Sequence, residues 1–220
     1  MNAKEIIAKR AAQEFKDGMV VNLGFGIPIL AGNNIPEGVN VTLQSENGML
    51  NFGATAPIGE DDPCMCSAGG APIKELAGCS VFNLDTSFLI IRGGHVDMTM
   101  LGALEVDQMG NIANWAMPYG EGKYGPGMGG AMDLLAGAKK VLVTTTHTTK
   151  RGDSKILKKC TLPLSAAGVV KTIVTELAFM EVTDEGLVLK EVAPGVTVEE
   201  VVSKTDANLI IPEIVGVMQF

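Results

Sequence analysis

Helical and extended patterns alternate along all 220 residues, and no Pro-, Ser- or Gly-rich linker divides them. That interleaving limits the chain to an α/β architecture, and we expect one domain spanning residues 1–220. A helical stripe of Ile7, Ala11 and Phe15 within 3–16 is stopped by Gly18, and a strand follows at 19–23. After Gly24-Phe25-Gly26, Pro28 suits the first turn of the next helix. A buried strand is expected at 81–84, a helical segment at 86–91 and a strand at 96–101. Residues 103–106 and 112–115 read as a hairpin turned at 107–111. The second half repeats the alternation, with a helix at 131–138 and strands at 140–146, 172–176, 179–182 and 187–192. Thr197 and Glu200 have capping-box spacing for a last helix.

Within that pattern Gln44-Ser45-Glu46-Asn47-Gly48 places a carboxylate where a β-branched, alternating run (39–43) meets a strong turn signal. Glu46 then stands at a strand's exit. In open α/β sheets, ligands bind beyond the carboxyl ends of the strands. The position also suits a residue that merely caps a turn or a following helix, and both readings stand on position alone.

Charge narrows the chemistry. A formal net charge of −8 and a pI near 4.8 argue against general nucleic-acid binding, which needs a basic face. Lys150, Arg151, Lys155, Lys158 and Lys159 form the one basic concentration, either a solvated loop or a contact for a phosphorylated cofactor. No run approaches the roughly 20 apolar residues of a membrane span, so a cytoplasmic protein without a membrane partner is expected. Cys64, Cys66, Cys79 and Cys160 look like reduced thiols rather than a disulfide framework.

Of the 27 glycines, those at Gly125, Gly127, Gly129 and Gly130 crowd the approach to the helix at 131–138. Such a loop offers backbone N–H groups to a phosphate or to an oxyanion formed during reaction; its plainer reading is a lid or a tight turn. Neither this cluster nor Gly24-Phe25-Gly26 fits a P-loop or a dinucleotide fingerprint. With two histidines, His95 and His147, and no G-x-S-x-G elbow, a hydrolytic triad is not supported. Cys64-Met65-Cys66 lacks zinc spacing and a second half, so no metal site is expected. The polar loop 92–97 reads as a satisfied turn network or as part of a site's lining, and Trp115 as core packing or a substrate wall. An ionised carboxylate needs no general base to attack an activated acyl group, and a nest of backbone N–H groups would stabilise the oxyanion that results. Glu46 and the glycine loop make chemical sense together.

These residues carry a resemblance. Ser45-Glu46-Asn47-Gly48 resembles the catalytic signature of family I CoA-transferases, and the chain is similar to their β subunit over essentially its whole length. Asn22-Leu23-Gly24-Phe25-Gly26-Ile27-Pro28 and residues 91–97, 101–104, 113–115, 127–133 and 158–164 match in the same order. The likeness is greatest to the 3-oxoacid group, which includes acetate or butyrate:acetoacetate CoA-transferases. It implies a mainly parallel sheet flanked by helices with extra hairpins, similar to the ribose-5-phosphate isomerase-like fold.

The resemblance further implies a ping-pong exchange in which Glu46 carries CoA as a glutamyl thioester, with Gly129 and Gly130 as oxyanion donors. Gly24, Phe25, Gly26, Asn47 and Gly48 become candidates to border the substrate. Coenzyme A is then substrate and covalent intermediate, and no permanent cofactor or metal is needed. The chain lacks the α subunit's CoA-binding signature, so the resemblance implies an α2β2 partner and short-chain carboxylic acids and their acyl-CoA esters as substrates. A non-catalytic CoA-ester-binding regulatory subunit and a CoA-ester hydrolase are the alternatives. Three departures stand out: Asn51 replaces the first of a glycine pair with Gly53, Glu105 stands where Gln is common, and residues 119–124 are insertion-like. The last two bear on acyl selectivity.

Overall fold

The computed structural model describes residues 1–57, 59–62 and 64–220. Its chain runs through α1 (Ala3–Ala12), β1 (Val20–Leu23), α2 (Ile27–Gly32), β2 (Thr42–Ser45), β3 (Met49–Thr55) and β4 (Ile73–Val81). It continues through α3 (Leu84–Arg92), β5 (Met98–Gly102), the short pair β6 (Glu105–Asp107) and β7 (Ile112–Ala113), and the ribbon β8 (Ala116–Gly120) and β9 (Lys123–Pro126). After α4 (Ala131–Gly137) come β10 (Lys140–Thr144), β11 (Ile156–Leu157), β12 (Val170–Val174), β13 (Ala178–Thr183) and β14 (Gly186–Val192). The path closes with α5 (Val198–Lys204), β15 (Leu209–Ile210) and β16 (Gly216–Val217).

Among the described residues eleven strands share one sheet in the order β15-β14-β13-β12-β10-β5-β1-β2-β3-β4, with β16 also on β14. The middle strands β12, β10, β5, β1 and β2 are parallel neighbours, and antiparallel strands extend the sheet on both sides. This is the mainly parallel α/β sheet expected from the sequence. Alternation along the strands divides the core. Val21, Leu43, Met98, Met100 and Leu142 face one way and pack with Ile7, Ala11 and Phe15 of the N-terminal segment. Leu101, Val141 and Val143 face the other way, against Ile91 of α3 and Leu134 of α4.

A charged clamp ties α1 to the sheet. Arg10 is 5% exposed, yet its Nε and Nη2 lie 2.7 and 2.8 Å from the two carboxylate oxygens of Glu191 on β14. Its Nη1 donates to Glu14 at 3.0 Å, Lys140 Nζ donates to the other Glu14 oxygen at 2.7 Å, and the guanidinium lies 3.6 Å from the Phe179 ring centroid. Burial alone would lower the Arg10 pKa; the Glu191 and Glu14 carboxylates outweigh it, and the net shift is upward. Burial likewise pushes Glu14 up, and Lys140 and Arg10 turn the net shift downward.

Local chemistry explains where the elements depart from the sequence pattern. α1 ends at Ala12, and turns carry the chain to Phe15, which stays buried; the helix is capped by Asn2, whose side chain forms a full capping box with Glu5. At α5 the Thr197 hydroxyl accepts the Glu200 N–H at 3.2 Å. The buried strand expected at 81–84 is absent. Val81 ends β4 and Leu84 starts α3, 67% and 56% exposed, because the Asn83 side chain caps α3 by accepting the Thr86 N–H at 2.9 Å. β3 and β4 escaped the sequence pattern because Asn51 adopts φ +60° at an irregularity between Leu50 and Phe52, which breaks the alternation. The hairpin at 103–115 forms, with Glu105 opposite Ala113 and Val106 opposite Ile112. Among the described residues no helix is long and apolar enough to cross a membrane.

Without Glu191 the buried Arg10 guanidinium would keep only Glu14 as a carboxylate partner, so Glu191→Ala should destabilise the protein by about 1–3 kcal/mol. A drop in the urea midpoint at unchanged m-value would register it.

Candidate active site

The turn after β2 holds Glu46 at the carboxyl edge of the parallel strands. Gly48 N–H donates to Ser45 O at 3.0 Å, and Gly48 O accepts the Phe82 N–H at 2.9 Å, so the turn is seated on the segment leading into α3. Gly48 has φ +116°, and a Cβ there would lie 2.1 Å from Phe82 O. Only glycine fits. Asn47 points its amide elsewhere, donating to Cys66 O at 2.8 Å, and Ala68 N–H reaches Ser45 Oγ at 2.9 Å. The loop that follows β3 is thus fastened to both neighbours of Glu46.

Glu46 is half-buried, and its Oε2 accepts from Asn22 Nδ2 at 3.0 Å. The same amide donates to Gln44 Oε1 at 2.8 Å, with a longer contact of 3.2 Å to Gln44 O. A cleft of about 350 Å³ opens beside Glu46, beyond the ends of β1 and β5; Gly24, Phe25, Gly102, Ala103, Gly129 and Gly130 are among its walls. A Cβ on Gly130 would meet Glu46 Cγ at 3.5 Å and Phe88 Cζ at 3.3 Å, which shows how closely the loop approaches the carboxylate. Neither the Gly129 nor the Gly130 N–H donates to a backbone carbonyl among the described residues.

Of the residues singled out in the sequence, Glu46, Gly24, Phe25, Gly129 and Gly130 therefore share one cleft. Gly26, at φ +88°, starts α2, and Asn47 and Gly48 shape the turn; none of these three is among the cleft's walls. Asn22 and Gln44 stand within the motifs around Gly24 and Glu46, and the sequence assigns neither a part in the site. Their only sequence signal is an amide set in an apolar run, Val20-Val21-Asn22-Leu23 and Leu43-Gln44.

The three departures take distinct places. Asn51 is the one non-glycine residue with positive φ among the described residues, the conformation glycine would take there, and its Nδ2 donates to Ala77 O at 3.1 Å. Glu105 is not among the cleft's walls, and its carboxylate accepts from Thr161 N, Thr161 Oγ1 and Leu162 N at 2.6, 2.7 and 2.9 Å. Residues 119–124 belong to the exposed β8–β9 ribbon, which leads directly into the glycine loop.

The basic concentration does not act as one patch. Lys155 turns inward to the Thr145 hydroxyl, and burial lowers its pKa, while Lys150, Arg151, Lys158 and Lys159 stay exposed. His147 lies buried between the hydroxyls of Thr175 and Thr205, each 2.9 Å from a ring nitrogen. Burial, with a lesser push from Lys204, lowers its pKa to about 4.

A carboxylate beside a glycine loop, at the carboxyl edge of a parallel sheet, defines an α/β protein with its cleft at the edge where such sheets bind ligands. The sequence profile of coenzyme A transferase matches residues 4–204. The beta chain of the acetate CoA-transferase of Haemophilus influenzae is 52% identical over 97% of this chain and 94% of its own length. The corresponding chain of the succinyl-CoA:3-ketoacid coenzyme A transferase of Helicobacter pylori, strain 26695, is 47% identical over 93% and 97%. The crystal structure of an acyl-CoA transferase from Escherichia coli O157:H7 superposes with a TM-score of 0.75 at 22% identity, covering 99% of this chain and 43% of that longer one. The chain belongs to the coenzyme A transferase family, and its role is that of one subunit of a CoA-transferase.

Two outcomes follow from the geometry of the turn and of His147. Gly48→Ala should destabilise the protein by about 3 kcal/mol or more, measured by denaturant unfolding, because backbone must move to admit the methyl group. For His147 the ordinary value of 6.5 falls to about 4 on folding, so the unfolded chain binds the proton more readily. Stability should therefore decline as pH drops from 6.5 towards 4, by up to about 3 kcal/mol from this residue. Over that window His147→Gln should flatten the pH dependence of the unfolding midpoint relative to the parent.

Proposed function

We propose that Glu46 is the nucleophile of a ping-pong CoA transfer between short-chain acyl-CoA and carboxylic acids, of the acetoacetate, acetate or butyrate class. A Glu46 oxygen bonds to the thioester carbonyl carbon as the C–S bond breaks, giving an acyl-glutamyl anhydride and CoA thiolate. The thiolate then attacks the glutamyl carbonyl, which expels the first acid as its carboxylate and leaves CoA on Glu46 as a thioester. An incoming carboxylate reverses both steps and leaves as its CoA ester. One thioester replaces another, so coenzyme A is substrate and covalent intermediate, and neither ATP nor a permanent cofactor or metal is required.

The observation that carries this reading is the shared cleft of Glu46 and the glycine loop, with Gly130 in near contact with the carboxylate's side chain. Each tetrahedral intermediate carries a negative oxygen, and the Gly129 and Gly130 N–H groups are its donors. Removal of one such donor typically costs roughly 2.7–4 kcal/mol of barrier stabilisation. Gly24 and Phe25 border the acyl group. The names of the relatives, acetate CoA-transferase and succinyl-CoA:3-ketoacid CoA transferase, support small carboxylic acids as substrates. Each of those relatives is named as one of an enzyme's subunits, which supports a separate α subunit here. We assign the working enzyme as a cytoplasmic α2β2 complex, the isolated chain being inactive.

Assembled enzyme incubated with acyl-CoA and borohydride should carry a reduced Glu46, visible by peptide mass spectrometry. An active enzyme with unmodified Glu46 would sink the mechanism. Glu46→Gln should lower kcat by several orders of magnitude while the complex still assembles.

A further inference from the structure

Three neighbouring strands carry polar side chains at one level of the face on which Leu101, Val141 and Val143 pack against α3 and α4. Parallel pairing sets Asn22 of β1 opposite Gln44 of β2 and opposite Thr99 of β5, in one row. All three side chains are at most 1% exposed, and Ser87 of α3, fully buried, closes over the row. On the next strand, β10, the residue at this level is Val141. Apolar residues would pack this space equally well, so a run of four buried polar groups calls for a use.

Its hydrogen bonds have a direction. Ser87 Oγ donates to Ser45 O at 3.3 Å, which leaves its lone pairs to accept Gln44 Nε2 at 3.0 Å. That fixes the Gln44 amide with Oε1 towards Asn22, where it accepts one Nδ2 hydrogen at 2.8 Å. The other Nδ2 hydrogen is then delivered to Glu46 Oε2 at 3.0 Å, while Thr99 Oγ1 lies 3.5 Å from Asn22 Oδ1 on its donor side. Turning either amide over would oppose two donors between Asn22 and Gln44, or two acceptors between Asn22 and Glu46. Ser87, through Gln44, thus turns the Asn22 amide the same way as the Gln44 carbonyl and the carboxylate do, so that Asn22 presents a donor to Glu46.

We infer that Gln44 and Ser87 are positioning residues of the transferase, which orient the Asn22 amide so that it holds one oxygen of Glu46 and fixes the plane in which the carboxylate attacks. The inference rests on the proposed role of Glu46. Neither residue touches substrate. Each acts on the rate through the Asn22 amide, whose N–H steadies the orientation of the carboxylate.

The test uses the complex assembled with its α subunit and compares Ser87→Ala and Gln44→Met with the parent. Both substitutions keep the packing close to native and remove the directional bonds. Each should lower kcat about ten-fold or more with KM for acyl-CoA little changed. Parent-like kcat in either soluble, assembled variant would overturn the inference. A lowered kcat accompanied by an equally altered KM for acyl-CoA would reduce the row to packing and overturn it equally. Should Ser87→Ala fail to assemble, Gln44→Met carries the same readouts. Failure of the Glu46 mechanism shows instead in the parent enzyme, as an active complex without a Glu46 adduct.

Discussion

Parallel pairing of β1 with both β2 and β5 puts Asn22 at the centre of a buried polar row and one hydrogen bond, 3.0 Å long, from Glu46. Much of the site depends on that register. A slip of one residue along β1 or β2 would turn Asn22 or Gln44 to the opposite face, and Val21 or Leu43 would take its place. The apolar alternation that buries Val21, Leu43 and Met98 against the N-terminal helix is therefore the same pattern that delivers the amides to the carboxylate. Core packing and site geometry are set by one choice of strand register.

Around that centre, each neighbouring element limits where Glu46 can go. Gly48 admits the turn to the segment before α3, and the loop after β3 is tied to Ser45 and Asn47. Gly130 brings its loop close to the carboxylate's side chain. The result is a carboxylate with little freedom, facing a cleft walled in part by glycine backbone. At a distance from this edge, the Arg10, Glu191, Glu14 and Lys140 clamp holds α1 on the sheet by charge and contributes nothing to the cleft.

The amino-acid sequence exposes the features that local chemistry decides. Buried parallel strands read as apolar runs, which is why β1, β5 and β10 are visible, and Asn47-Gly48 marks the turn that presents Glu46. Asn51 is legible as a departure from a glycine pair, and its φ of +60° gives that departure a physical sense. What local patterning hides is decided by distant partners. The link between Asn22 and Thr99 joins residues 77 positions apart, and nothing near either residue announces it. β4 is mostly exposed at the sheet's edge, so it lacks the apolar signature of its inner neighbours. Asn83 claims the start of α3 as a cap, which no propensity of Val81 or Leu84 for strand can override.

Oxygen tracing tests the covalent role of Glu46 most directly. If an incoming carboxylate attacks the glutamyl thioester and CoA then departs with the acyl group, one oxygen of that acid must remain on Glu46. Turnover with an ¹⁸O-labelled acid and unlabelled acyl-CoA should therefore place ¹⁸O in the Glu46 carboxylate, raising the mass of its peptide alone. Efficient transfer of CoA to the labelled acid with no ¹⁸O at Glu46 would contradict the account.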